Sequence, residues 1–450
     1  MAKVIILSRK ARYALGFICI VCLLLLLAGV SSIPFIYESR SILYKVGTDR
    51  TLLRTGKVIG MIAATLLLLQ LALSSRLKFL DHIFALNRLY LFHRVNAATV
   101  AVLAVIHPLF IFAPEDITNI PVELKYWPEI LGAFLLVSIW LITATGLWRL
   151  FLDFRFHRWW LFHRGAGFAA VIMLIFHVLY GSETFESGAP RFIVILAAGT
   201  YALFWGWVRI KPVLLKIKPF SVTSVAMAGQ DAYAVEVTPR AGKVFHYIPG
   251  QFAFVTIKSK NVSSEEHPFT ISSTPSRPGS LQFSIRCSGD WTSLIGHLKP
   301  GDTFFIDGPY GHFSYLFRSN ATEYIMIAGG IGITPMLSML RHMADNGETR
   351  RVTLIWSNRT REDIVFADEF EELEHRLQGL RIIHVFTRQA GSLGTIGRLN
   401  QNMLDKLLSG CSRKIPVFVC GPPLMMDEVR RGLVRIGYSH GLILTEEFSL

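Results

Sequence analysis

Four histidines stand at positions where they could share one task. His93 and His107 are 14 residues apart, and so are His163 and His177. On an α-helix that interval is roughly 40° short of four full turns and roughly 21 Å along the axis, so each pair occupies one helix face with an imidazole toward each end. The two segments repeat each other at a shift of 70 residues: Leu91-Phe92-His93-Arg94 matches Leu161-Phe162-His163-Arg164, and both run on through apolar sequence to a second histidine. Two levels, each with two facing imidazoles (His93/His163 and His107/His177), suit axial ligation of two haem irons. A single histidine in such a segment reads equally well as a polar residue turned toward a neighbouring helix. Four in matched register, in apolar surroundings where ionisable groups are costly, point to function. Another metal would want carboxylates or cysteines close by, which these helix faces lack. Arg94 and Arg164 beside one level suit haem propionates, or equally the charged flank of a span. His82 and His157 fall outside the register and read as surface residues.

The elements that must position these residues are membrane helices. The chain has 450 residues, room for two or three domains, and is 52% hydrophobic with a mean hydropathy of +0.42. The apolar residues crowd before about Ile210 into six runs long enough to cross a bilayer, at 14–33, 58–73, 90–112, 130–148, 160–180 and 192–208. The first run has a basic front but no small-x-small cleavage pattern, so it reads as a retained helix. Basic residues mark one side: Lys3, Arg9, Lys10 and Arg12 before span one, Arg76, Lys78 and Arg88 before span three, and Arg149, Arg155 and Arg158 before span five. Acidic residues mark the other: Glu115, Asp116, Glu123 and Glu129 after span three, Glu183 and Glu186 after span five. The positive-inside rule therefore puts the N-terminus and the soluble half in the cytoplasm, in a bacterial inner or plasma membrane. One segment dissents. Arg40, Lys45, Arg50, Arg54 and Lys57 follow span one on the outer side, where the length suggests a short helix of its own. The formal net charge of +14 is explained by span flanks, so no nucleic-acid partner is expected. Five cysteines form no disulfide framework. Cys19-x-x-Cys22 lies inside an apolar run, and Cys287, Cys411 and Cys420 suit a reducing cytoplasm.

After Lys211-Pro212 the pattern changes to short alternating strands, such as Ala232–Pro239, 252–257 and 281–285, which predict a small antiparallel β-barrel. From about Tyr324 it becomes strand, Gly-rich turn, helix, strand, helix, the order of a nucleotide-binding α/β domain. Four motifs carry chemistry. His267-Pro268-Phe269-Thr270-Ile271-Ser272-Ser273 offers an aromatic ring and hydroxyls on a strand edge. Ile285-Arg286-Cys287-Ser288-Gly289-Asp290-Trp291-Thr292 offers a cation, a turn and a helix start, which suit a diphosphate. Gly329-Gly330-Ile331-Gly332-Ile333-Thr334-Pro335 follows the strand 324–328, so a pyrophosphate could approach the backbone at a helix N-terminus. Val417-Phe418-Val419-Cys420-Gly421-Pro422-Pro423 is a strand ending in a sharp turn where a nicotinamide could lie.

In combination these motifs resemble those of known redox proteins. The soluble half resembles the ferredoxin–NADP reductase superfamily, and its union with the paired histidines resembles the ferric reductase and NADPH oxidase family, over about residues 55 to 450. The resemblance implies a six-span α-helical bundle with two haem b groups (1–210), a cytoplasmic FAD-binding barrel (213–317) and an NAD(P)-binding α/β domain (320–450). It implies that Phe269 packs on the flavin and Thr270 sits by its reactive nitrogen. His267, Pro268, Ser272 and Ser273 would complete that strand, and His267 stands where soluble members often carry arginine. Arg286, Trp291 and Thr292 would hold the FAD diphosphate. Gly329, Gly330, Gly332 and Thr334 would hold the nicotinamide cofactor's pyrophosphate, with Cys420, Gly421 and Pro422 at its ring. Phe448, in the final Thr445-Glu446-Glu447-Phe448-Ser449-Leu450, would stack on the flavin and give way to the nicotinamide. Arg359, after the strand 352–356, favours NADPH over NADH through a 2′-phosphate, although Glu362 and Asp363 lie near.

The expected function is then an NAD(P)H-dependent flavohaem oxidoreductase in the lipid bilayer, which passes electrons from cytoplasmic NAD(P)H through FAD and two haems to an extracytoplasmic acceptor. Thr270, Cys420 and Phe448 are its expected catalytic residues. A ferric or cupric chelate and O2 both remain open as acceptor. So do delivery to a periplasmic partner enzyme or quinone, and a histidine-lined proton channel or transporter with a flavin sensor.

Overall fold

The computed structural model describes residues 9–38, 47–113, 123–149, 151, 156–388 and 395–447. Two compact units divide it, one of Lys10–Lys211 and one built on Pro212–Leu450.

Among the described residues the first unit holds six long helices: α1 (Arg9–Ile36), α2 (Gly47–Ser74), α4 (Leu86–Phe112), α5 (Trp127–Leu147), α6 (Phe156–Tyr180) and α7 (Gly188–Lys216), with a short α3 (Lys78–Phe84) between the second and third. Each is long and apolar enough to cross a membrane. Their outward faces are apolar, with Phe17 at 68% and Leu203 at 79% exposure. In water that surface would be a large liability, whereas lipid tails solvate it. The interior is correspondingly small-grained: Val100, Ala101, Leu135, Ile139, Ala170 and Leu174 pack together. Cross-helix bonds tie α2 to α4, from Asn96 Nδ2 to the Leu66 carbonyl (2.8 Å) and from Gln70 Nε2 to the His93 carbonyl (3.2 Å). The last two helices run antiparallel, with Phe168 stacked on Trp205 at 4.3 Å near their middles and Arg191 over the Tyr180 ring at one end.

Two expectations change here. No separate short helix carries Arg50, Arg54 and Lys57. They form the first turns of α2, Arg50 and Arg54 both pair with Glu38, and Lys57 donates to Thr184 Oγ1 at 3.0 Å. Arg40 and Lys45 of that stretch lie outside the described residues, as do Lys3, Glu115, Asp116 and Arg155. The sixth helix also does not stop at 208. It runs through Pro212 to Lys216, because a proline near a helix end removes one backbone bond yet keeps a helical φ.

The second unit contains two sheets. A six-stranded antiparallel sheet has the order β4-β3-β6-β1-β2-β5, from β1 (Phe220–Gly229), β2 (Ala232–Pro239), β3 (Phe252–Lys258), β4 (Glu266–Thr270), β5 (Leu281–Arg286) and β6 (Thr303–Tyr310). A bridge from Ile271 to Phe283 joins the two edges and closes the barrel, around a core that includes Val235, Val255, Phe283 and Phe304. The following sheet is parallel, in the order β10-β9-β8-β7-β11-β12, from β7 (Glu323–Gly329), β8 (Arg351–Asn358), β9 (Leu380–Phe386), β10 (Thr395–Ile396), β11 (Val417–Cys420) and β12 (Ile443–Glu446). Helices α8 (Thr334–Asp345), α9 (Ala367–Arg376), α10 (Gln401–Leu407) and α11 (Pro423–Arg435) connect and cover these strands. Strand order reverses between β7 and β11, the switch point at whose carboxyl end open α/β sheets bind ligands.

Candidate functional site

Helices α4 and α6 place His93 opposite His163 with ring centroids 6.1 Å apart, and His107 opposite His177 at 6.4 Å. Imidazoles bonded to opposite sides of one metal ion at about 2 Å put their centroids roughly 6 Å apart. The two levels are built differently. His107 Nδ1 lies 2.8 Å from the Gly56 carbonyl oxygen, and His177 Nδ1 lies 2.9 Å from that of Pro128. Such a bond fixes the proton on Nδ1 and leaves Nε2 as the metal-facing nitrogen. One helical turn beyond each carbonyl sits a glycine that makes room for the ring. A Cβ at Gly60 would lie 2.7 Å from His107 Cε1, and one at Gly132 would lie 2.7 Å from His177 Cε1. At the other level, the Nδ1 atoms of His93 and His163 are buried without a hydrogen-bond partner. Arg164 lies over the Trp160 ring at 4.0 Å. Sequence reasoning missed Gly56, Gly60, Pro128 and Gly132. The Gly56-x-x-x-Gly60 spacing, a sign of close helix approach, was the available signal.

In the second unit, alternation along β4 splits the first motif between two faces. His267 and Phe269 share one face with Trp291, with centroids 4.1 Å and 6.0 Å from the indole. Thr270 is 4% exposed, and its buried Oγ1 has no hydrogen-bond partner. Ser272 and Ser273 are engaged within the protein. The Ser272 hydroxyl bonds the Gln282 carbonyl and Ser284 Oγ, and the Ser273 hydroxyl bonds the Tyr247 phenol, whose own pKa burial pushes up to about 12. Thr292 Oγ1 accepts from the Ser288 and Gly289 amides and so closes its own turn. Arg286 is held by Asp231 at 2.7 Å and lies 3.6 Å from Asp363. Its Nη1 would be 3.0 Å from a Cβ on Gly330, so the cation of the second motif reaches the glycine turn of the third.

The third and fourth motifs also meet. A Cβ at Gly332 would lie 2.5 Å from the Cys420 carbonyl oxygen, and one at Gly421 would lie 3.0 Å from Gly329 Cα. Glycine is required at these positions for the two turns to touch. Trp356 Nε1 donates to the Gly330 carbonyl at 3.1 Å, and buried Thr334 opens α8. Cys420 is fully buried, and burial, then the nearby Glu446, drives its thiol well above the usual range. It therefore stays protonated and presents no nucleophilic thiolate. Arg359 is exposed just past β8, as a contact to an outer phosphate requires. Phe448 lies outside the described residues.

Three family models match the chain in succession: ferric reductase like transmembrane component at residues 59–182, FAD-binding domain at 217–314 and oxidoreductase NAD-binding domain at 326–431. In this order the three matches are those of a ferric reductase and NADPH oxidase-like fusion. Among characterised relatives, sulfhydrogenase 1 subunit gamma of Pyrococcus furiosus is 30% identical over 203 residues, which cover 44% of this chain and 68% of that one. The propane 2-monooxygenase reductase component of Mycolicibacterium goodii is 29% identical over 214 residues, 46% of this chain and 60% of that one. The FAD/NAD-binding domain of nitric oxide dioxygenase from Vibrio cholerae O1 biovar El Tor superposes with a TM-score of 0.46 at 21% identity, covering 51% of this chain and 98% of the other. A family member of this composition is an oxidoreductase with FAD- and NAD-binding domains and a membrane-embedded part.

The residues fit the cofactors the family implies. An unpartnered buried hydroxyl at Thr270 suits a flavin heteroatom, and the touching glycine turns at the sheet's switch point suit a pyrophosphate. Paired imidazoles at metal-bridging separation suit haem. Among the described residues no group of three or more His, Cys, Asp or Glu could hold another metal ion.

Proposed function

We propose that this protein carries electrons from cytoplasmic NADPH across the bilayer through FAD and two haem b groups to an acceptor on the far side. The observation that carries the reading is the pair of imidazole pairs, 6.1 Å and 6.4 Å apart, on two helices of a membrane bundle. Bound FAD accepts a hydride from a nicotinamide and releases electrons singly, and bis-imidazole haem passes single electrons on. The chain's own residues do the placing. Gly56 and Pro128 hold the His107 and His177 rings with Nε2 free. The contacting turns at Gly329–Gly332 and Cys420–Gly421 keep the nucleotide site narrow, and exposed Arg359 supports a 2′-phosphate and hence NADPH.

Connectivity and charge support a direction. His163 lies toward the end of α6 that runs beside the C-terminal end of α7, and the chain leaves that end through residues 217–219 into β1. The same side carries Arg76, Lys78, Arg88, Arg149 and Arg158. This supports His93/His163 as the level nearer the cytoplasm and His107/His177 as the exit. His107 and His177 would both be engaged in holding that haem, so the acceptor, a ferric chelate or O2, would be reduced without binding to its metal. Purified protein should show the low-spin spectrum of two haems. His107→Ala should lose one haem and at least about tenfold of external reduction. A variant that kept full external reduction would sink the pathway. Parallel assays of superoxide and ferrous iron decide the acceptor.

A further inference from the structure

Helix α8 does more than begin at the glycine turn. Its Arg341, with 15% of the side chain exposed, donates from Nη1 to the Ser272 carbonyl at 2.8 Å and to Gln282 Oε1 at 2.6 Å. Its Nε and Nη2 donate in parallel to the two Glu369 oxygens, both at 2.6 Å. One turn earlier, fully buried Ser338 donates to the Ser273 carbonyl at 2.7 Å. One face of one helix thus grips two consecutive backbone carbonyls just past the end of β4, the strand expected to bear the flavin. The same helix starts at Thr334, against the turn expected to bear the nicotinamide cofactor's pyrophosphate. A buried guanidinium is costly to desolvate, and apolar packing would join two domains with less penalty. What the bidentate, charge-assisted bonds supply is fixed geometry.

We propose that Ser338 and Arg341 are positioning residues for hydride transfer: through α8 they set the separation and angle of the nicotinamide and flavin sites while acting through the backbone of Ser272 and Ser273. The inference rests on the hydride step of the function proposed above and not on its haem path. In that step the nicotinamide C4–H bond breaks and its electron pair moves to the flavin, so that NADPH, H+ and FAD give NADP+ and FADH2. Rates of this kind respond steeply to placement, and a shift of about 1 Å can cost about 100-fold.

The test uses full-length protein in detergent micelles, loaded with FAD, mixed anaerobically with NADPH and followed by the loss of NADPH fluorescence in a single turnover. Ser338→Ala should slow the limiting rate about tenfold and Arg341→Met about 100-fold, while Arg341→Lys recovers part of the loss. The primary deuterium isotope effect with 4-deuterated NADPH should rise in the slowed variants. FAD content and the NADPH dissociation constant should change by less than about threefold. Unchanged rates, or losses that track lost FAD or lost NADPH affinity, overturn the inference. Ser338→Ala removes a single hydroxyl and keeps the test decisive should Arg341→Met not fold. Wild-type protein that fails to oxidise NADPH would sink the functional reading itself, a result distinct from normal wild-type turnover with unaffected variants.

Discussion

Glycine decides how the membrane histidines can stand. At Gly60 and Gly132 the missing side chain is the space an imidazole occupies, and the carbonyl one turn back accepts a hydrogen bond from that ring's Nδ1. A methyl there forces the ring to move, an overpacking cost of about 1–3 kcal/mol concentrated on the proposed haem ligand. Gly60→Ala or Gly132→Ala should therefore remove about half of the haem absorbance per chain. Gly199→Ala, where an added carbon meets nothing within 4 Å, should leave it intact; equal loss in all three would refute the clamp. The histidines themselves were legible, because four ionisable residues at a repeated interval stand out in apolar sequence. Their glycine partners were not, since a glycine in a span is commonplace and its meaning depends on which neighbour faces it. The first flavin motif was legible as a string, but its division into a Trp291 face and a Thr270 face, and the prior engagement of Ser272 and Ser273, come from pairing with β3 and β5 and from α8. Arg286 was read as a diphosphate ligand; its hold on Asp231 depends on two turns far apart in sequence.

Among the elements, those with strong local patterns were the easiest to read. The strand at Ala232–Pro239 has its expected ends, because apolar and polar residues alternate between a tight turn and a proline. The end of α7 was read too early, since Pro212 looks like a stop in sequence but is only a missing donor within a helix that lipid and length sustain. The barrel was expected, but not which edges close it, because the Ile271–Phe283 bridge joins edge strands that no local rule connects. The turn before β3 shows how little tolerance such closure leaves. Gly250 has φ +91°, and an added Cβ would overlap the Phe313 carbonyl oxygen. Gly250→Ala should cost more than about 2 kcal/mol, combining a disfavoured backbone with a clash. Urea unfolding followed by FAD release would measure it, and an unchanged midpoint would show that the turn relaxes.

At the scale of the whole molecule, the Pro212–Leu450 unit has its own barrel core and two further cores around the parallel sheet. Residues 212–450 expressed alone should fold, retain FAD and oxidise NADPH with a soluble dye at a rate within about threefold of the full chain, while binding no haem. Insoluble or flavin-free product would show that the bundle is needed for folding. What such a fragment loses is the leash. Only residues 217–219 separate the last helix from the first strand, a reach of roughly 10 Å when extended. Proteins that meet by diffusion trade electrons at a rate set by how many partners are nearby. On the proposed function the flavin donor and the membrane pathway are parts of one chain, so their encounter would not depend on how many copies a cell makes. Throughput per copy should thus be indifferent to expression level, and a scarce membrane protein of this design works as fast, molecule for molecule, as an abundant one.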